Sequence, residues 1–275
     1  MAPNLRTNKG GGGYATMVPK MEQDTRRQAA LEMLQNLATA NNQAAYDIVQ
    51  GDNLQAFRAI RSAAGQVSLL TPLLTECEDP SSAPTSPSSV ASQDKDQLYV
   101  QPIYASDVWS IAHDNECYVF SCPFSIRPFT LTELASHVTL RYMKMLSSVA
   151  IYNMALSCHL QYRIAENCLK KEVLANRAMA LYVQAATLLD ECWVYPEESV
   201  YLVRLAICNN LIEVCLAEGH LYQAKRWKER LDEAIQRAYS CPALQQQNNT
   251  TASLLHYFKD ALVIYAGTFA AARAA

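Results

Sequence analysis

The side chains best equipped for chemistry in this 275-residue chain are asparagines set at a repeated spacing. Asn42 and Asn210, each the second of an Asn-Asn pair, precede Gly51 and Gly219 by nine residues. Each glycine precedes an alanine, Ala56 or Ala224, by five. A primary amide donates and accepts at once, so it pairs with both polar groups of an extended backbone. No catalytic set accompanies these residues. His113, Cys117 and Cys122 lack both the CxxC spacing and a fourth ligand of a structural zinc site. Cys158 and His159 are neighbours, which on a helix point in different directions and make a poor nucleophile–base pair. The five histidines form no HExxH motif, and Gly10–Gly13 is not followed by the Lys-Ser or Lys-Thr of a phosphate loop. The sequence therefore predicts no catalytic residues, no metal, no cofactor and no enzyme.

These residues need helices to position them. Hydrophobic residues make up 50% of the chain, and four of its 8 glycines fall in one run, a composition that favours helix over turn-rich β structure. A net charge of −3 leaves no basic footprint for nucleic acid or an anionic membrane. The nine cysteines are scattered through apolar stretches and read as small core residues in a reducing compartment. No apolar run is read as long enough to span a membrane, and the N-terminus has no hydrophobic signal region. The expected location is cytoplasmic or nuclear, not secreted.

Residues 1–20 are Gly-rich and polar and are expected to be disordered; 21–275 form one helical-repeat domain. Helical periodicity runs from Glu22 to Gln50, then through Leu54, Phe57, Ile60, Ala64 and Val67. A Ser/Pro-rich loop over 71–97 cannot hold a helix, because proline lacks the amide and serine competes for backbone bonds. Its Ser86-Pro87 has the form of a proline-directed phosphorylation site, although a plain solvated linker is the favoured reading. Residues 98–128 read as an extended or β-hairpin insert. Its strands are expected at Leu98–Tyr104 and Glu116–Phe120, with Pro102 and Pro123 at edges. Thr130–Glu133 has capping-box spacing. Further helices follow: one from there through Leu156, then about Leu169–Leu189, Ser199–Leu216, Leu221–Tyr239, and a last one from Thr251.

The spacing has a third copy. Asn153 takes the asparagine position, and Ala178 and Ala185 repeat the seven-residue step seen from Ala56 to Ala63 and from Ala224 to Leu231. Asn153 to Ala178 is 25 residues where the other copies have 14, so 11 extra residues lie in Cys158–Ala175, with no turn glycine. Small residues seven apart on one face let a paired helix approach closely.

With these residues in place, the chain resembles the tetratricopeptide repeat, most clearly through Asn210, Leu211, Gly219, Ala224 and Trp227, and through Asn42, Gly51 and Ala56. Ser148–Leu231 is also similar to a large group of diatom proteins that is itself tetratricopeptide-like and has no established activity. The resemblance implies an all-α stack of about three irregular helical hairpins with a C-terminal capping helix. It also implies a role as a protein-interaction scaffold, with Asn42, Asn153, Asn209 and Asn210 lining a concave groove for a peptide or helix partner. Arg204, on the helix of Asn210, is a candidate to neutralise a carboxylate there. The alternative is that these asparagines bond neighbouring helices and only hold the stack. A second role is a structural subunit of a larger complex, with Trp193, Trp227 or the last helix as its interface.

Overall fold

The computed structural model describes residues 20–67, 100–103, 119–128, 140–192, 198–240 and 249–274. Seven helices lie among them: α1 (Lys20–Val49), α2 (Asn53–Val67), α3 (Leu140–Ile164), α4 (Cys168–Glu191), α5 (Glu198–Ala217), α6 (Leu221–Ser240) and α7 (Asn249–Ala274). Two strands, β1 (Val100–Pro102) and β2 (Phe124–Ile126), pair antiparallel with Val100 opposite Ile126 and Pro102 opposite Phe124. The expected N-terminal disorder, the Ser/Pro loop with Ser86, the capping box at Thr130–Glu133, and Trp193 all lie outside the described residues.

Helices pair in sequence as α1/α2, α3/α4 and α5/α6, and each pair packs on the next. The first helices also form a row, with α1 against α3, α3 against α5, and α5 against α7. This is an all-α stacked-helix fold with a small two-stranded insert.

The sharp reversals sit at the predicted glycines. Gly51 has φ +86° and Gly219 φ +76°, a region in which a Cβ is strained. Both turns end their helix in the same way. Asp52 N–H reaches Asp47 C=O at 2.8 Å and Gly51 N–H reaches Ile48 C=O at 3.0 Å; His220–Cys215 and Gly219–Leu216 repeat this at 2.7 and 3.1 Å. These are paired C-terminal bonds that satisfy carbonyls the helix leaves open. The middle hairpin turns instead through Ala165–Asn167, where the Asn167 side chain caps α4 by accepting from Lys170 N–H at 3.1 Å.

The 11 extra residues of the middle unit do not lengthen its turn, which has three residues like the other two. Four extend α3 beyond Asn153 and seven precede Ala178 on α4, relative to the outer hairpins. These are about one and two helical turns, so the buried faces stay in phase. Ala56, Ala178, Ala185 and Ala224 are all fully buried where the paired helices meet.

α3 is buried on every side from Ser148 to His159, as the centre of the stack requires. α5 is similarly enclosed. Its stretch Val200–Ala217, 18 residues at mean hydropathy 1.6, is long and apolar enough to cross a membrane, which corrects the expectation that no run is. The fold accounts for that apolarity, because 83% of the stretch is buried against neighbouring helices. At the end of the stack, α7 covers α5 and α6 with Leu254, Leu255, Phe258, Ala261 and Tyr265.

Most of the strand expected at Glu116–Phe120 lies outside the described residues; the strand that pairs with β1 is Phe124–Ile126. Pro123, read as an edge position, immediately precedes the strand, and its C=O accepts from Ile103 N–H at 2.8 Å.

Candidate functional site

The first helices of the three hairpins present Asn42, Asn153 and Asn210 to one surface, and that surface holds an extended segment of the same chain, Val119–Ile126. Each asparagine grips both polar groups of a single residue. Asn210 donates to Phe120 C=O at 3.0 Å and accepts its N–H at 2.8 Å. Asn153 does the same to Phe124 at 2.8 and 3.0 Å, and Asn42 to Ile126 at 2.7 and 2.7 Å. The N–H and C=O of one extended residue point to the same side, so a side-chain amide stands in for a neighbouring strand. The segment runs from α5 across α3 to α1, with these clamps on one edge and β1 paired along β2.

Its alternate residues point into the stack. Phe120, Cys122, Phe124 and Ile126 are all buried, as are Val119 and Pro123, while Ser121 and Ser125 are half-buried. Phe120 meets Phe258 of α7 with ring centroids 5.1 Å apart, and Phe124 meets Tyr152 edge-on at 5.1 Å. The Tyr152 hydroxyl lies 3.2 Å from both Phe120 and Cys122 carbonyls. Burial pushes the Cys122 thiol up to about 12, so this cysteine behaves as a small apolar side chain rather than a thiolate.

A second layer braces the clamps. Asn41 donates to Phe124 C=O at 3.0 Å and accepts from Asn153 at 2.8 Å. Asn210 also donates to the Tyr182 hydroxyl at 3.1 Å. His159 stands behind that tyrosine, with Nδ1 3.4 Å from its oxygen and Nε2 2.5 Å from Glu213. Burial raises the Tyr182 phenol well above its ordinary value, opposed by the Asn210 amide, so it stays protonated. A Glu–His–Tyr series can relay protons in an open cleft, but here His159 and Tyr182 are fully buried and Glu213 nearly so. The Cys158 thiol is pushed up to about 11 by burial, and His159 faces Glu213 and Tyr182, in keeping with the reading that the two make no nucleophile–base pair.

Of the five candidate residues, three hold the segment and two do not. Asn209 donates to the Asn210 side-chain oxygen at 3.3 Å and accepts from the Tyr265 hydroxyl of the capping helix at 3.2 Å. Arg204 lies away from the clamps and does neutralise a carboxylate, that of Asp190 on α4. Asn41, Tyr152, Tyr182 and the segment itself escaped the sequence reading. The legible signal was the alternation Phe120, Cys122, Phe124, Ile126, which has the period of a half-buried strand. Among the described residues no group of three or more His, Cys, Asp or Glu is placed to hold a metal ion. Compared with known proteins, the chain matches no family model, no curated sequence and no solved structure.

Proposed function

We propose that this chain is a non-enzymatic protein-interaction scaffold of tetratricopeptide-like design, whose concave face meets a peptide or helix partner. The observation that supports it most is the threefold use of asparagine to grip extended backbone, since that is how such a stack would recognise a peptide. Here the peptide is the chain's own. Burying Phe120, Phe124 and Ile126 contributes roughly 2 kcal/mol each. Ordering the backbone of the segment costs about 1–2 kcal/mol per residue, and the asparagine bonds add to this burial against that cost. In this reading Asn42, Asn153 and Asn210 fix the floor of the groove, and a partner rests on the outward side of the segment, at Gln101, Ser121 and Ser125.

A second reading, a structural subunit, is favoured by the far end of the stack. The start of α6 and the end of α7 enclose a cleft of about 440 Å³ lined by Leu221, Tyr222 and Phe269, with Tyr222 75% exposed. A photo-crosslinking side chain placed at Ser125 or at Tyr222 in the native cell separates the two. Protein adducts from position 125 are the expected result. Adducts from position 222 alone favour the subunit reading, and no protein adduct from either contradicts both.

A further inference from the structure

In the second and third hairpins, the first helix packs against its own second helix, the second helix before it and the first helix before it. α7 keeps the last two of these contacts, with α6 and with α5. Among the described residues no further helix packs on it to the same extent, so α7 stands as a first helix without a second. The face left bare carries Val263, 67% exposed, with Ala266, Gly267, Ala270 and Ala271, all exposed. Steps of three and four place these residues on one side of the helix.

Two properties of this face call for a helix from outside the chain. From Ala261 to Ala272 there is no charged residue, whereas the outer face that closes a helical stack is ordinarily polar. Gly267 is the other. It lies in the interior of α7, where glycine is less favourable than every residue but proline. A Cβ there would meet nothing within 4 Å, so no neighbour in the chain requires the missing side chain. What the glycine permits is the close approach of another backbone. The occupant that fits is a second copy. Two-fold symmetry sets a helix antiparallel to its own counterpart, the direction in which each second helix here meets its first. It also sets like residues near like, so a charged face would repel itself and this uncharged one does not.

We infer that two copies of this chain pair through α7, crossing at Gly267, each α7 serving as the missing second helix of the other. The inference rests on the subunit reading of this end of the stack and names its partner. With the crossing at Gly267, Val263 of one copy lies beside Ala270 and Ala271 of its partner, next to the cleft that Leu221 and Tyr222 line. A single helix pair with Tyr222 at its margin amounts to roughly 1,000 Å² in total, at the lower limit of a stable interface, so the pair forms at micromolar concentrations.

Sedimentation equilibrium on the full chain, from about 1 to about 200 µM, tests the pairing. The expected mass rises with concentration to twice that of the chain. Gly267→Leu puts a side chain at the crossing and improves the helix. It should weaken the pair about tenfold or more without lowering the melting temperature of the dilute protein. Gln184→Leu, at an exposed position on α4, leaves the pair unchanged. A chain that stays monomeric across the range overturns the pairing, as does a dimer that Gly267→Leu does not weaken. This failure is separable from that of the subunit reading. A monomeric chain that still gives adducts with other proteins from position 222 in the cell keeps that reading and loses the pairing.

Discussion

Replacing Asn153 with alanine is expected to lower the free energy of unfolding by about 4 kcal/mol, read from the urea midpoint at unchanged slope. The side chain is fully buried and makes three bonds. Its loss takes the partner from Phe124 N–H and from the Asn41 side-chain oxygen, at about 1–3 kcal/mol for each buried group left unpaired. Phe124 C=O keeps its bond to Asn41 at 3.0 Å. Asn153→Asp sharpens the test. It preserves shape and acceptor but removes both donations, and it sets a carboxylate against two oxygens. It should cost at least as much at neutral pH. A loss under about 1 kcal/mol for either variant would mean that the clamp contributes no more than an exposed contact.

Glu213→Ala is expected to cost about 1–3 kcal/mol, because it takes the 2.5 Å partner from Nε2 of the fully buried His159 ring. Removing both members is a different experiment. His159→Leu with Glu213→Leu replaces a desolvated polar pair by apolar groups and should recover most of the loss. With the two single leucine variants and the unsubstituted protein, it completes a double-mutant cycle with a large coupling term. If the double variant is as unstable as Glu213→Ala, the pair contributes more than mutual satisfaction. The damage should also reach the groove, because His159 backs Tyr182 and Tyr182 accepts from the Asn210 clamp.

The hairpins were legible because local rules govern them. A glycine between two amphipathic stretches marks a reversal, and alanines seven apart mark a close helix contact. The lengthened middle unit was legible as a count of 11 residues, but not as whole turns added to two helices, because no local signal separates a longer helix from a longer loop. The equivalence of Asn42, Asn153 and Asn210 was also readable, and all three turn out to act alike. What they bind was not. Phe120 and Asn210 are 90 residues apart, and Ile126 and Asn42 are 84 apart, so the pairing is a tertiary event with no short-range trace. The strand at Phe124–Ile126 was not anticipated because β propensity weighs side-chain type, while this strand lies where the asparagines reach it. Arg204 was a candidate because it shares a helix with Asn210, and its partner Asp190 on the preceding helix is invisible to that argument.

The central claim is that the asparagine-bearing face of the first helices is filled by the chain's own segment Val119–Ile126. Amide hydrogen exchange tests it most directly. The account predicts that Phe120, Phe124 and Ile126 exchange as slowly as the core of α3 around Tyr152, through global unfolding, and that Asn153→Ala speeds Phe124 selectively. Exchange of these three amides at the rate of an unstructured chain, while α3 remains protected, would contradict it.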